Sequence, residues 1–244
     1  MTIFVKRYAT PATLRAAQTH HAWLVGLNAD VRLPRLLDRF SDGLAFEAMP
    51  GDIPGPVRMP IVAAAIGRLH TAAAPRLRDS RLDRPHDVGA CELADFIHTR
   101  RHRLHDTART HHIPITAVDR VLEAASTLPA SLYKDSNLRN FLITDTDGVA
   151  IVDFDDLTLA PYGYDLAKLV VSMAMTHGPL DTNVIAMALD AYNSALGQVR
   201  CTPEDLAIWA ELNWLLTTPY TGRNGYHQHW PSLRPWPHPL TRRL

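Results

Sequence analysis

The sequence predicts an α+β fold in which a small, strand-rich N-terminal part precedes a larger, mainly helical remainder. Short runs of β-branched, aromatic and aliphatic residues, of which 2–8 is the first, are concentrated before residue 49. From residue 61 onward, apolar residues recur mostly at helical spacing. A hairpin-like pair of segments, 141–144 and 149–154, interrupts this helical majority. Strands and helices are therefore expected in separate parts of the chain.

The N-terminal part is predicted to contain three strands and one helix. After the strand at 2–8, Pro11 marks a helix start, and apolar residues at helical spacing continue to the stop signal Gly26–Asn28. Two short strands follow at 33–38 and 44–48, separated by a Ser-Asp-Gly turn signal.

The proline- and glycine-rich run 50–60 is the predicted linker to the second part of the chain. Asp-Gly at 147–148 predicts the turn of the later hairpin, within residues 145–148. Asp181 and Thr202 are the predicted N-caps of the last two long helices. Apolar spacing places the helices at 61–69, 93–104, 118–128, 164–175, 181–196 and 203–216.

Composition excludes several classes of protein. The 244 residues carry 25 basic and 25 acidic side chains and are 46% hydrophobic, which excludes a mainly disordered chain. The balanced charge offers no overall attraction to nucleic acid or to a membrane surface, so neither is expected as a partner. Cys91 and Cys201 are too far apart in sequence for a CxxC metal site. Apolar runs end well short of the roughly 20 residues of a bilayer span, and a cytoplasmic location is expected. Oligomeric state is left open.

Three oxygen-bearing side chains around the predicted hairpin point to chemistry. Asp135 and Asn140 lie on the polar loop that enters the hairpin, and Asp153 lies near its exit. Because a hairpin returns the chain beside its own start, these residues are expected at one end of it. Asn140 and Asp153 suit Mg²⁺, which takes one or two oxygen ligands from side chains and the rest from phosphate and water. Asp135 suits a base that accepts a proton from an attacking hydroxyl.

The same residues carry a resemblance to a known family. Tyr133-Lys-Asp-Ser-Asn-Leu-Arg-Asn140, followed by Ile151-Val-Asp-Phe-Asp155, resembles the catalytic loop and metal-binding segment of the aminoglycoside phosphotransferase and choline kinase-like enzymes, small-molecule relatives of protein kinases. The segment 161–167 resembles the family's Asp-Leu-Ala helix start, and 66–70 resembles its Leu-x-x-Leu-His helix. The similarity covers about residues 3–175 in the same order.

The resemblance implies a protein-kinase-like fold with a truncated N-terminal lobe, residues 1–49, and a mainly helical C-terminal lobe, residues 50–244, that carries the acceptor site. It implies transfer of a phosphoryl group from ATP or GTP, with Mg²⁺, to a hydroxyl group of a small molecule such as an antibiotic, a sugar or an amino alcohol. By this resemblance the site residues are Asp135 as catalytic base; Asn140 and Asp153 as metal and nucleotide ligands; Lys6 on the phosphates; Glu47 and Met49 at the nucleotide base; and Asp165 and Tyr133 in support of the catalytic loop.

The chain also departs from the family pattern. Only five residues precede Lys6, too few for a glycine-rich phosphate-covering hairpin, and residues 11–27 hold no acidic partner for this lysine. Tyr133 replaces a histidine, and Lys134 stands where the family mostly has glycine. Two alternatives therefore remain: a catalytically inactive kinase-like binding module, or an N-terminally truncated family member. A protein kinase is disfavoured, because the interval from Asp153 to Asp165 is too short for a peptide-docking segment.

Several residues have two interpretations from sequence. Asp155 is a second metal ligand or a helix cap, and Asp156 is expected to cap a helix or face solvent. The basic run 99–105 is expected to be a solvated helix face rather than an anion-binding one. The tail, 226–244, is expected to wrap the surface rather than shape an acceptor pocket. Because residues 212–244 hold no acidic side chain, the acceptor is expected to be neutral, aromatic or anionic.

Overall fold

The structure of the chain, a computed structural model, describes residues 2–144 and 148–241. The hairpin turn predicted at 145–148 lies outside the described residues except for Gly148. The fold is α+β, as predicted, but strands and helices occur in both parts of the chain. The strands are β1 (Ile3–Arg7), β2 (Leu36–Arg39), β3 (Gly43–Glu47), β4 (His86–Asp87), β5 (Glu92–Leu93), β6 (Ala130–Tyr133), β7 (Phe141–Ile143), β8 (Val149–Ile151) and β9 (Thr158–Pro161). The helices are α1 (Pro11–Gly26), α2 (Met59–Ala73), α3 (His98–Thr110), α4 (Ile115–Ala125), α5 (Tyr164–His177), α6 (Thr182–Leu196), α7 (Pro203–Thr217) and α8 (Trp230–Leu233).

The N-terminal part is an antiparallel sheet in the order β1-β3-β2, with α1 packed against it. Lys6 lies opposite Leu44 and Phe4 opposite Phe46, so Phe4 and Lys6 share one face of β1. Residues two apart on a strand point to the same side, and this face of β1 looks toward the C-terminal part. A small apolar cluster formed by Leu14, Ala17, Leu44 and Phe46 joins the sheet to α1.

The segment between β3 and α2 ties the two parts together. Asp52 exchanges two backbone hydrogen bonds with Ile143 of β7, with N···O distances of 3.0 and 2.8 Å. From the other side, Trp23 and Leu24 of α1 belong to the large core of the helical part. The division at residue 49 therefore stays a prediction, since contacts cross it in both directions.

The helical part is built around α5, whose residues from Tyr164 to Met175 are all buried. A helix that is buried on every side must be covered by its neighbours, and α7 packs closely along it. Predicted caps are present on the outer helices: Asp181 accepts the backbone N–H of Asn183, and Thr202 forms a capping box with Asp205.

The helix predicted at 93–104 is wrong at its beginning. Leu93 lies in β5, where it pairs with His86, and α3 begins only at His98. The Asp95 carboxylate accepts the His98 N–H at 2.5 Å and closes the first turn of the helix. Leu93 and Phe96 are buried by tertiary packing rather than by membership of one helical face, so their spacing imitated a helix.

Candidate active site

The predicted catalytic loop leaves β6 at Tyr133 and reaches β7 through a single turn of 3-10 helix, Leu138–Asn140. A buried carboxylate holds this loop from behind. Asp165 Oδ2 accepts the backbone N–H of Lys134, and its Oδ1 accepts the N–H of Ser136, both at 3.1 Å. These two hydrogen bonds set the conformation of the backbone on either side of residue 135.

Asp165 is positioned in turn by a chain of buried hydrogen bonds. His70 Nε2 is hydrogen-bonded to Asp165 Oδ2 at 3.3 Å, and His70 Nδ1 is hydrogen-bonded to the Tyr192 hydroxyl at 2.9 Å. The Gly163 N–H donates to the same hydroxyl at 3.0 Å. His70 is thus a hydrogen-bonded core histidine in contact with the loop system. Gly163, with φ +84°, rather than Asp165 is the N-cap of α5.

Both candidate catalytic aspartates have left-handed backbone conformations. Asp135 has φ +61° and Asp153 has φ +66°, a region that non-glycine residues seldom occupy and that Asp and Asn tolerate best. Such strain is often concentrated at functional sites. At residue 153 it also explains why the second hairpin strand ends at Ile151 rather than at the predicted Phe154.

Asn140 connects the loop to the hairpin. Its side-chain nitrogen donates to the backbone oxygen of Asp135 at 2.8 Å, and its backbone oxygen accepts the Val152 N–H at 2.9 Å. The carboxamide nitrogen is therefore engaged, which leaves the carboxamide oxygen for a ligand. Asn140 and Asp153 line the same cavity, so the structure brings the two predicted metal ligands together.

Lys6 has acidic partners that the sequence analysis did not expect. Its Nζ lies 2.6 Å from Asp153 Oδ1 and 2.6 Å from Asp155 Oδ2. Burial opposes the charged form, but the two carboxylates raise the pKa of Lys6, so it is a cation at neutral pH. Asp155 also accepts the Tyr8 hydroxyl at 3.1 Å, and His20 of α1 donates to its backbone oxygen at 2.8 Å. The lysine is thus held by the hairpin exit rather than by a helix carboxylate.

A cavity of about 450 Å³, called the first cavity below, opens between the N-terminal sheet and the hairpin. Phe46 and Phe154 contribute apolar walls, and charged groups are concentrated at the hairpin end. All five residues predicted to contact the nucleotide or its metal line this cavity: Lys6, Glu47, Met49, Asn140 and Asp153. The Glu47 carboxylate is also bonded to Arg35 Nε at 3.1 Å.

A second cavity of about 460 Å³ lies against the Asp135 carboxylate. Asp135 Oδ1 accepts the Tyr133 hydroxyl at 2.9 Å and lies 3.7 Å from Lys168 Nζ. Burial and the neighbouring Asp135 carboxylate raise the pKa of Tyr133, so its hydroxyl stays protonated as a donor. Asp156 is exposed, in agreement with the sequence expectation, and lines this cavity. The remaining lining comes from α3, the catalytic loop, β9, α5, α7, the segment after α7 and the tail: Thr99, Arg100, Arg103, Asn137, Thr158, Lys168, Asn213, Leu216, Tyr220, Asn224 and Tyr226.

The basic run 99–105 is not simply a solvated helix face. Arg100 is only 7% exposed, and its Nη2 donates to Thr158 Oγ1 at 2.7 Å. The guanidinium carbon lies 5.0 Å from the ring centroid of Tyr133 and 4.7 Å from that of Phe96. Periodicity could not detect this burial, because the rings that cover Arg100 come partly from distant segments.

The tail does not only wrap the surface. Trp230 is fully buried, and its Nε1–H donates to Glu211 Oε1 of α7 at 2.8 Å. Arg234 donates two hydrogen bonds to the same carboxylate, at 3.0 and 2.9 Å. Gly225, with φ +78°, lets the tail backbone approach the Arg139 guanidinium more closely than any side chain would allow. The tail therefore wraps the surface only in part, since Trp230 is buried against α7 and Tyr226 lies in the wall of the second cavity.

Two lysines near the catalytic loop remain to be placed. Lys168 is one that was not predicted from the sequence pattern, and Lys134 is one that departs from the family pattern. Lys168 lies three residues after Asp165, on the same side of α5, so helical spacing could have indicated it. Lys134 lines neither cavity. Its Nζ lies over the ring of Phe141 at 4.4 Å, and burial lowers its pKa to about 8.

A strand-rich part and a helical part with a cavity between them agree with the protein-kinase-like fold that the resemblance implies. A sequence profile described as the phosphotransferase enzyme family (APH) matches residues 2–212. The chain therefore belongs to that family. The family resemblance, the α+β kinase-like fold and the assignment as a phosphotransferase enzyme are confirmed, and the truncation of the N-terminal lobe stays a prediction.

Solved structures have the same fold at low sequence identity. A macrolide 2'-phosphotransferase from Brachybacterium faecium is 18% identical, with a TM-score of 0.57 over 96% of this chain and 85% of that one. A choline/ethanolamine kinase family protein from Mesorhizobium loti is 18% identical, with a TM-score of 0.57 over 88% and 71%. An aminoglycoside phosphotransferase from Alicyclobacillus acidocaldarius is 16% identical, with a TM-score of 0.52 over 88% and 74%. A sequence search of curated proteins finds no significant match.

Family membership implies a nucleotide donor and a divalent metal ion. Within residues 2–144 and 148–241, the helices are all too short or too polar to cross a bilayer.

Proposed function

We propose that the chain transfers the γ-phosphoryl group of ATP or GTP to a hydroxyl group of a small molecule, with Asp135 as the catalytic base. One observation carries the proposal. The loop that presents the Asp135 carboxylate to the second cavity also presents Asn140 to the first, and the Asn140 side chain is bonded to the Asp135 backbone. Donor and acceptor sites therefore meet at one short, internally bonded segment.

The first cavity suits the nucleotide. The division of the chain near residue 49 would place the nucleotide between the two parts, with its base beside Glu47 and Met49. Lys6 would hold the α- and β-phosphates, because its ammonium group is a cation at neutral pH and lines this cavity. Positioning and charge neutralisation supply most of the rate acceleration in phosphoryl transfer.

Asn140 and Asp153 fit a magnesium ion by the chemistry of their donors. Both offer side-chain oxygen, the ligand type that Mg²⁺ prefers, and Asp153 already has a cationic group beside one oxygen. When bound, the ion would neutralise charge on the β- and γ-phosphates. Asp155 uses both carboxylate oxygens, Oδ2 for Lys6 and Oδ1 for the Tyr8 hydroxyl, whereas Lys6 approaches Asp153 at Oδ1; Asp155 is therefore better suited to positioning the lysine than to binding the ion.

Asp135 suits the acceptor side of the reaction. The Tyr133 hydroxyl and Lys168 both approach Oδ1, which orients the carboxylate and directs Oδ2 to the hydroxyl of the acceptor. As the oxygen of that hydroxyl bonds to the γ-phosphorus, the bond from this phosphorus to the bridging oxygen breaks, and the electron pair leaves with the nucleoside diphosphate. The hydroxyl proton passes to Asp135.

Calorimetric titration of Mg·ATP and Mg·GTP into wild type and Asp153→Asn tests the donor site. We expect micromolar binding that requires both Mg²⁺ and the Asp153 carboxylate. Release of nucleoside diphosphate across a panel of hydroxyl compounds then tests transfer. Magnesium-dependent binding without transfer to any compound would favour the alternative function, an inactive kinase-like binding module. The absence of nucleotide binding would contradict the proposal.

A further inference from the structure

The charged side chains that line the second cavity carry a net positive charge. Arg100, Arg103 and Lys168 line it on the basic side, against Asp135 and Asp156 on the acidic side. Lys168 and Asp135 approach each other to 3.7 Å and largely offset one another. What remains is two arginines against one exposed aspartate.

The charge of Arg100 has no carboxylate partner among the described residues. Its guanidinium donates to Thr158 Oγ1 at 2.7 Å, to the backbone oxygen of Phe96 at 3.2 Å and to Thr99 Oγ1 at 3.2 Å, all of them uncharged oxygens. A charge that is buried without a counter-charge is costly, and burial of charge is normally balanced by pairing. An anion in the cavity that Arg100 lines would supply that counter-charge.

Arg103 lies three residues further along α3, so it faces the same side of the helix. In the part of the chain that the structure describes, its guanidinium has no ion pair. Other arginines of the helix differ. Arg101 approaches Asp119 at 3.6 Å, and Arg109 donates to Asp106 at 2.9 Å. The arginines that look into the cavity are therefore the ones left without a carboxylate.

We propose that the acceptor carries an anionic group, a carboxylate or a phosphate, which Arg100 and Arg103 bind while its hydroxyl faces Asp135. The inference rests on the proposed function and specifies the substrate class of the same site. Arginine suits this task because its planar donors match both kinds of oxyanion. The positive charges of Arg100 and Arg103 would repel a polycationic acceptor.

Matched pairs of hydroxyl compounds test the proposal: glycerate with glycerol, gluconate with glucitol, and glucose 6-phosphate with glucose. Binding is measured by saturation-transfer NMR and calorimetry without nucleotide, and transfer by release of ADP with Mg·ATP. We expect at least one anionic compound to bind at least tenfold more tightly than its uncharged partner. Comparison of glycerate and gluconate with glucose 6-phosphate shows whether the site binds a carboxylate or a phosphate more tightly.

Arg103 is exposed, so its substitution does not endanger folding as that of Arg100 does. Arg103→Gln should remove most of the preference for the anionic compound and leave the Kd of Mg·ATP unchanged. Arg103→Lys should retain part of it. Arg101→Gln, on the same helix but outside the cavity lining, is the matched control and should change neither value.

Three results would overturn the anionic acceptor. The first is equal affinity for the anionic compound and its uncharged partner, and the second is an equal loss of affinity for both in Arg103→Gln. The third is no binding of any anionic probe at 10 mM, a concentration about ten times a weak millimolar Kd. Arg103-dependent anion binding without transfer would support the anion site and count against the proposed function. Failure of Mg·ATP to bind wild type also counts against the proposed function alone, because the anion measurement needs no nucleotide.

Discussion

The two cavities lie on either side of one loop but are built in different ways. The first takes its charged residues from the hairpin exit, β1 and β3, and Lys6 contacts Asp153 at its edge. The second takes Arg103, Lys168 and other polar residues from segments spread over much of the C-terminal part. The first thus depends on the backbone of the hairpin exit and on the placement of β1 against it, whereas the second depends on how helices and the tail pack around Asp135. Changes in the first should affect donor binding, and changes in the second should affect the acceptor.

Replacement of Asp153 should have the largest effect. Asp153→Asn tolerates the left-handed backbone of this position but removes the negative charge near Lys6 and Asn140. Loss of one preorganised electrostatic group of this kind costs on the order of 10³-fold in turnover. Steady-state kinetics and Mg·ATP titration should show losses in both kcat and nucleotide affinity. Asp42→Asn, an exposed carboxylate of the N-terminal sheet, serves as the control. Activity within threefold of wild type would refute the assignment of Asp153.

Replacement of Asp135 should impair the reaction at the second cavity without affecting nucleotide binding in the first. Asp135→Asn removes the base that faces the second cavity but keeps the side-chain volume, so kcat should fall by about 10²-fold or more. The Kd of Mg·ATP should change less than twofold, because the Asn140 bond uses the Asp135 backbone. Asp156→Asn, in the same cavity wall, should lower kcat far less. Loss of nucleotide binding in Asp135→Asn would show that the two cavities are not independent.

Replacement of Lys6 should have a smaller effect that is confined to the first cavity. Lys6→Ala removes the phosphate-facing cation, and we expect the KM for the nucleotide to rise about tenfold, the change that a loss of about 1.4 kcal/mol in binding produces. The KM for the acceptor should be unaffected. Arg7→Ala, next on the same strand but outside the cavity lining, is the control. A change in acceptor KM comparable to that in nucleotide KM would contradict this division of roles.

The smallest effect concerns pH. His21 is 4% exposed and packs against Phe46 and Phe154, two walls of the first cavity. Burial lowers the pKa of His21 below its usual 6.5, although the hydrogen bond to the Pro34 carbonyl opposes this shift. The unfolded chain therefore binds a proton that the folded chain excludes, so this group lowers stability as pH falls below about 6.5. Calorimetry should show a smaller decrease in Tm between pH 7.5 and 5.5 in His21→Gln than in wild type. An identical decrease in both proteins would exclude this histidine as the cause.

The local elements could be predicted because their causes lie in neighbouring residues. The capping box at Thr202 and Asp205 needs only side chains three residues apart, and α1 needs only Pro11 and its apolar spacing. The loop that bears Asp135 and Asn140 could be predicted for the same reason, because both residues lie close together in the sequence just before a hairpin. Where local spacing agreed with a helix but distant packing did not, as at Leu93, the prediction was wrong.

The pairing of Lys6 could not be predicted by the same reasoning. Residues 11–27 hold no acidic partner, and the partners of Lys6 lie 147 and 149 positions away, at the hairpin exit. Only the placement of β1 against that exit brings the charges to 2.6 Å. The roles of Lys6, Asn140 and Asp153 in binding remain predictions, although the structure places all three around one cavity.

Short-range patterns in a defined order are enough to predict the family, the fold class and the loop that carries Asp135 and Asn140. Tertiary structure alone decided the character of the second cavity. Arg100 became a buried cation because aromatic rings cover it, and Tyr226 became a wall of the cavity because Glu211 anchors the tail through Trp230. Burial and pairing of charge depend on contacts between residues that are distant in sequence, and periodicity along the chain does not reveal those contacts.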